Sequence, residues 1–376
     1  MLLSSSETGV LNYKMIVNNS REVLIEFVDI EVFFNANLNL KKLVFIDPVV
    51  LSNNELFLKL KNIDSSIILV PTNLIENNKD ISSLISILEI MEINGIGRRG
   101  DLVCAIGGGA LLDAVSFAAS IFRRGIKVVK IPTTLLGIVD ASIGIKTGIN
   151  FLGNRNRLGS YHFDYSVIIS PSLLTGLNKS LIRQGLGEIF KIAIIKSKKL
   201  FNHILSFKEQ LEEVGFYNTN DGLFIIKNSI ELMLEELHDN PREDNLMRCV
   251  DFGHTFSPLV EMESIKRSGS RSLPHGYAVA YDCILTSTIS RERGMLNNND
   301  YLLIINLFQN FDFNFNNQIY SDYNLLWASV LELTKHRGGN QNLPVPTTIG
   351  SYTFIQDLTF EEMKNCSIIV NSILNK

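Results

Sequence analysis

The chain has 376 residues, 45% of them hydrophobic and 20% charged, which is the make-up of an ordinary folded protein with room for two domains. A formal net charge of −4 argues against a phosphate-neutralising face for nucleic acid, and two short basic spots (FRRG at 122–125 and NRNR at 154–157) suit a small anionic ligand better than a polymer. Four scattered cysteines without a CxxC pair, no N-terminal signal pattern and no apolar run near the ~18–20 residues of a membrane span predict a soluble cytoplasmic protein.

In chain order, KKLVFIDPVV (41–50), SSIILVP (65–71), DLVCAIGGG (101–109) and IKVVKIPTT (126–134) read as strands, β-branched and ended by Pro, Gly or Asp. Between them, 80–95 and 110–124 carry apolar residues at three- and four-residue spacing, the pattern of crossover helices over a parallel sheet. After SVIISPSLL (166–174) long helical stretches dominate, among them 181–198 and 222–238. The boundary therefore falls near 170, between an α/β domain (1–170) and a mostly helical domain (171–376). The Asn-rich patches NNS, ENNK, LNNND and FNFNNQ read as loops, SGSRS (268–272) as a mobile loop, and no internal repeat is present.

Two segments carry chemistry in the first domain. CAIGGGALLDA places three glycines between a strand and a helix, where backbone can approach a pyrophosphate and the helix N-terminus offers N–H groups. A plain tight turn fits that run equally well. The following IPTTLLGIVDASIGIKTGIN adds Thr133, Thr134, Asp140, Lys146 and Asn150 beyond a strand end, where a ligand crevice is usually lined. In the second domain VDFGHTFSPLVEM (250–262) sets His254 between Gly and Thr, with Pro258 where a second metal-binding His often stands four residues on.

With GGG-x3-D, PTTLL-x3-D-x5-KTGIN, GLGEIFK and FGHT…PHGYAVA in this order, the chain resembles the sugar phosphate cyclases, the family of 3-dehydroquinate synthase. The match runs from about residue 40 to about 350. It implies an α/β nucleotide-binding domain, a helical metal-binding domain, NAD and a divalent metal (zinc, or cobalt) in the cleft, and a homodimer. It assigns NAD contacts to Asp47, Glu76, Lys79, Gly108, Gly109, Asp113, Thr133, Thr134, Leu136 and Arg155, the last standing where Lys is usual. Metal ligands fall on Glu188, His254 and His275. Substrate contacts fall on Arg124, Asp140, Lys146, Asn156, Lys191 and Glu243.

The family's chemistry is redox-neutral: NAD oxidises a secondary hydroxyl, phosphate is eliminated, the hydride returns, and an intramolecular aldol step closes a carbocycle. A Glu and two His drawn from separate segments suit an open catalytic zinc, and lysines and arginines suit a sugar phosphate. Dehydroquinate synthases have Asn and a second His where this chain has Asp251 and Pro258, and Lys where it has Met233; Arg248 lies one place later than their Arg. An ionised Asp251 beside a substrate carboxylate would repel it, whereas a hydroxyl can donate to it. These departures point to the branch that turns sedoheptulose 7-phosphate, with a hydroxymethyl group in place of the carboxylate, into 2-epi-5-epi-valiolone. Sister branches making desmethyl-4-deoxygadusol or 2-epi-valiolone, a divergent dehydroquinate synthase and a metal-dependent polyol dehydrogenase are the alternatives.

Overall fold

The computed structural model describes residues 2–5, 11–17, 21–37, 40–53, 57, 64–269 and 272–374; the NNS patch and the centre of SGSRS lie outside them. The chain divides into two units, Met1–Leu177 with Leu237–Arg242, and Asn178–Glu236 with Glu243–Lys376.

The first unit is built on β4 (Lys42–Ile46), β5 (Ile67–Pro71), β6 (Leu102–Gly107), β7 (Val128–Pro132) and β10 (Ser166–Ile169), with β3 (Arg21–Phe27) beside β10. These strands run parallel in the order β3-β10-β7-β6-β4-β5, and β2 (Leu11–Val17) and β1 (Leu2–Ser5) extend the sheet antiparallel beyond β3. Every residue of β4, β6 and β7 is buried, because a parallel sheet covered on both faces demands continuous apolar runs. That is why these strands were legible.

The crossover helices also follow the sequence pattern. Ile81–Ile93 (helix α3, after α1 at Ile30–Ala36 and α2 at Pro48–Asn53) buries Leu84, Ile87 and Met91 on one stripe. Its N-cap Asp80 accepts from Ser82 N and Ser83 N at 3.0 and 3.1 Å. Helix α4 (Gly109–Ile121) packs nearly all round. The polar stretch after 145 is a hairpin, β8 (Lys146–Phe151) and β9 (Asn154–Tyr161), which the sequence reading treats only as ligand-lining residues. Its turn, Leu152–Gly153, has φ of 49° and 74°, so both turn residues are left-handed, as tight hairpins require.

The second unit is helical: α5 (Lys179–Lys196), α6 (Lys198–Phe207), α7 (Asn220–Asp239, whose end belongs to the first unit), α8 (Ser257–Ser268), α9 (His275–Glu292), α10 (Asn298–Gln309), α11 (Tyr323–His336) and α12 (Phe360–Leu374), with one hairpin, β11 (Leu343–Thr348) and β12 (Ser351–Ile355). Residues 275–290 of α9 are all buried, so this helix is the core around which the others pack. One Asn-rich patch, LNNND, is more than a loop: Asn297 caps α10 by accepting from Asp300 N at 2.9 Å. Among the described residues no helix is long and apolar enough to cross a membrane.

Candidate active site

Two glycines bring the first pair of candidate ligands together. A Cβ on Gly187 of α5 would stand 2.3 Å from Gly276 O, and one on Gly276 of α9 would stand 2.1 Å from Gln184 O. The helices therefore touch backbone to backbone, and the neighbouring residues meet: His275 Nε2 lies 3.0 Å from Glu188 Oε1. His254 arrives on the turn before α8. Gly253 has φ +80°, and a Cβ there would stand 2.8 Å from Cys283 Sγ, so both conformation and space require glycine. His254 Nε2 comes within 3.5 Å of the same Glu188 oxygen. One ligand atom from each of Glu188, His254 and His275 lies within 4.8 Å of the others.

The other nitrogen of each ring fixes its tautomer. His275 Nδ1 is 3.0 Å from Glu261 Oε2 and 3.1 Å from Oε1, so it donates to that carboxylate, and His254 Nδ1 faces Phe252 O at 3.4 Å. Both Nε2 atoms are thereby turned toward Glu188: a protonated Nε2 donates to the carboxylate, and one that has lost its proton offers its lone pair to a metal, the arrangement that carboxylate-oriented histidines adopt around one. Burial by itself would raise the Glu188 carboxyl, yet Lys191, His254 and His275 hold it well below the usual carboxylate range. Lys191 Nζ, one helical turn along α5, is 2.5 Å from Glu188 Oε2. Two imidazole nitrogens and one ionised carboxylate are the donor set of an open zinc site.

Asp282 holds the His254 turn from beneath. It is fully buried, accepts from Phe256 N at 2.6 Å, Ser257 N at 3.0 Å and Thr286 Oγ1 at 3.0 Å, and burial pushes its carboxyl up to about 6 despite those donors. Pro258 sits in the first turn of α8, where its missing N–H costs no hydrogen bond.

Asp251 differs from its expectation. It is not a lone carboxylate: Arg248 Nη2 donates to Oδ1 and Arg337 Nη2 donates to Oδ2 at 2.5 Å. Glu243 pairs in turn with Arg248 Nη1. Two guanidinium groups compensate the Asp251 charge, so repulsion by Asp251 alone no longer explains discrimination against a carboxylate substrate. Arg337, inside the HRGG run, carries no motif spacing that would have singled it out.

In the first unit, Asp47, Gly108–Gly109 and Thr133–Thr134 follow the C-terminal ends of three neighbouring strands, β4, β6 and β7. No side chain caps α4 at Gly108, leaving that helix end open to an anion. Asp47 Oδ1 accepts from Val49 N at 2.8 Å, and Thr134 Oγ1 accepts from Gly137 N at 3.0 Å, beside the half-buried Leu136. Buried Lys79 gathers three residues: Asp113 at 3.0 Å, Glu76 at 3.4 Å and Asn156 Oδ1 at 2.7 Å. Asn156 thus stands with the expected cofactor group. Arg155 Nε lies 3.7 Å from Glu76.

Asn150 ties this group together. Its amide donates to Glu76 Oε1 at 2.9 Å, and its Oδ1 accepts from Asn156 N at 2.9 Å. Lys146 begins β8 as an exposed residue, and Asp140 lies half-buried in the turn after β7. Arg124 is not brought to these residues within its own unit. It is exposed past the C-terminal end of the 13-residue α4, roughly 20 Å along the helix from the glycine turn.

A parallel-sheet unit with an open glycine turn, followed by a helical unit bearing a Glu-His-His cluster, defines the dehydroquinate synthase fold. Family models described as 3-dehydroquinate synthase N-terminal and 3-dehydroquinate synthase C-terminal match residues 69–184 and 185–336. A 2-epi-5-epi-valiolone synthase of Streptomyces hygroscopicus subsp. jinggangensis is 37% identical over 294 residues, 77% of this chain and 70% of that protein. A demethyl-4-deoxygadusol synthase of Trichormus variabilis is 32% identical over 305 residues, 78% and 72% of the two chains. The solved structure of 2-epi-5-epi-valiolone synthase from the same Streptomyces, with NAD+ and Zn2+ bound, superimposes with a TM-score of 0.83 at 31% identity, over 95% of this chain and 98% of that one. The chain belongs to the 3-dehydroquinate synthase family of sugar phosphate cyclases.

Proposed function

We propose that this protein converts sedoheptulose 7-phosphate to 2-epi-5-epi-valiolone and phosphate, as an NAD- and metal-dependent lyase. The observation that carries the reading is the convergence of Glu188, His254 and His275 beside a network in which Asp251 replaces the family's asparagine. Several 2-epi-5-epi-valiolone synthases at 34–37% identity support the branch.

Glu188, His254 and His275 would hold the metal, zinc by the donor set, with Glu261 orienting His275. When bound, that ion supplies Lewis acidity at substrate oxygens. Asp47, Glu76, Lys79, Asp113, Thr133, Thr134, Leu136, Arg155 and the Gly108–Gly109 turn would bind NAD, which supplies a hydride acceptor that is regenerated each turnover. Lys191, buried next to Glu188, is placed to hold a proton or a substrate oxygen close to the ligands. Lys146, Asp140 and Glu243 are assigned to the substrate; Asn156 and Arg124 are substrate contacts by family resemblance, with Asn156 bonded here to Lys79 of the cofactor group. Buried free cysteines suit a reducing cytoplasm, and the family suggests a homodimer.

The decisive experiment supplies sedoheptulose 7-phosphate and, separately, the carboxylate-bearing seven-carbon substrate of 3-dehydroquinate synthase. Phosphate release from the first, a carbocycle identified by NMR as 2-epi-5-epi-valiolone and no net reduced NAD are expected. Efficient formation of dehydroquinate would sink the assignment. One-for-one accumulation of reduced NAD would favour a polyol dehydrogenase. A different carbocycle from the same sugar would move the protein to a sister branch, a second reading favoured by the 32% identity to the demethyl-4-deoxygadusol synthase.

A further inference from the structure

We propose that Arg337 is a specificity-determining residue, acting as the closing cation of a chain Glu243–Arg248–Asp251–Arg337 in which each of the two guanidinium groups is already matched by a carboxylate among the described residues, so neither is left for a substrate carboxylate. The inference rests on the functional reading above and adds to it the physical source of the discrimination.

The four side chains form a continuous relay. Glu243 engages Arg248 Nη1, Arg248 Nη2 engages Asp251 Oδ1, and Asp251 Oδ2 takes Arg337 Nη2 at 2.5 Å. Arg337 is held from behind by the carbonyls of Gln341 and Asn342, at 2.7 and 2.8 Å from its Nη1. Its guanidinium is therefore fixed by backbone before Asp251 is considered. All four side chains are largely buried, so salt and water screen them little. The chain adjoins the metal-site turn directly, since His254 N donates to Asp251 O at 2.9 Å.

Charge counting gives the consequence. Glu243 and Asp251 are each −1, Arg248 and Arg337 each +1, and the sum is zero. A buried carboxylate brought to these four side chains would find neither guanidinium free, and a buried unpaired charge is strongly disfavoured. A hydroxyl meets no such penalty. It can donate to a carboxylate already in the chain, and it can accept from Arg248 Nε, a buried N–H with no hydrogen-bond partner among the described residues. Asp251 without Arg337 would make the chain net negative. Asn in place of Asp251, with Arg337 kept, would make it net positive.

The test is a two-residue cycle on the full-length, metal-loaded enzyme: wild type, Asp251→Asn, Arg337→Gln and the double variant. The readout is the ratio of kcat/KM for the carboxylate-bearing seven-carbon substrate to that for sedoheptulose 7-phosphate. Asp251→Asn is expected to raise this ratio at least tenfold, and the double variant, again neutral, to bring it back within about threefold of wild type. Arg337→Lys, which keeps the charge, should hold the wild-type ratio. A purely structural Arg337 would lower turnover of both substrates alike, and the double variant would show no return; either result overturns the proposal. Where a variant turns over too slowly, the same ratio is taken from calorimetric Kd values, with thermal unfolding checking that it is folded. Wild-type phosphate release from sedoheptulose 7-phosphate tests the functional reading separately: its failure rejects the substrate, whereas an unresponsive ratio in an active enzyme rejects only the neutral chain.

Discussion

Glu76 in the first unit and Glu188 in the second are both carboxylates surrounded by positive partners, yet they are built for different ends. Glu76 is met by Lys79, Arg155 and the Asn150 amide, two basic side chains and a fixed donor. Burial opposes its charge, but those partners lower it to about 2, so it is a finished part of a scaffold. Glu188 is met by Lys191 and by two imidazoles whose far nitrogens are already committed, so their near nitrogens converge on the carboxylate and hold exchangeable protons there. A metal ion can take the place of those ring protons, because each Nε2 then turns a lone pair to it. A cluster of fixed cations positions a ligand from outside, whereas a cluster whose protons a cation can displace is itself a binding site.

The largest expected effect breaks the second cluster. His275→Ala removes one of three ligands, and turnover should fall at least ~10⁴-fold with loss of stoichiometric zinc by elemental analysis, as expected when an essential group acting with others is removed. Exhaustive chelation of the wild type should do the same. Full activity in a metal-free sample would end the metal-site reading.

Gly253→Ala attacks the backbone that delivers His254. A Cβ at φ +80°, 2.8 Å from Cys283 Sγ, should cost about 2–4 kcal/mol in denaturant unfolding, from left-handed strain plus overpacking. Adding Cys283→Ala should recover only the packing part. Complete recovery would mean the left-handed conformation is not required.

The first cluster should respond to acid instead. Glu76 falls from an ordinary 4.5 to about 2 on folding, so the native state binds fewer protons between those values. Its contribution is fully present above pH ~4.5 and is lost as pH falls through ~2, on the order of 3 kcal/mol in total. Comparing acid unfolding of the wild type with Glu76→Gln isolates it, because the variant should lose this part of the slope. Identical profiles would show that Lys79 and Arg155 do not hold the charge.

The smallest effect sharpens the contrast. Glu261→Gln keeps the size of the group behind His275 and removes its charge, which should weaken zinc ten- to a hundredfold in a chelator competition while leaving the fold intact. The same substitution at Glu76 should leave zinc affinity unchanged.

Much of this was legible in the residues. The buried parallel strands wrote themselves as unbroken apolar runs, the crossover helices as three- and four-residue spacing, and Glu188, His254 and His275 as motif positions in a fixed order. What the chain order withheld were partners joined only by packing. Glu261 reaches a His fourteen residues on, Asn150 bridges Glu76 and Asn156, and Arg337 closes on Asp251 across 86 positions. The hairpin at 146–161 was hidden because its polar and glycine residues lack the clean alternation of a half-buried strand.

The sequence by itself determined which groups could ionise, where glycine relieved the backbone, and which segments needed burial, because those are properties of single residues and short windows. Only the tertiary structure decided the charge state of the neighbourhood. Asp251 changes from a repelling carboxylate into the middle of a neutral chain because Arg337 is delivered to it by a separate helix. Coulomb energy depends on distance in space, and separation along the chain does not encode it.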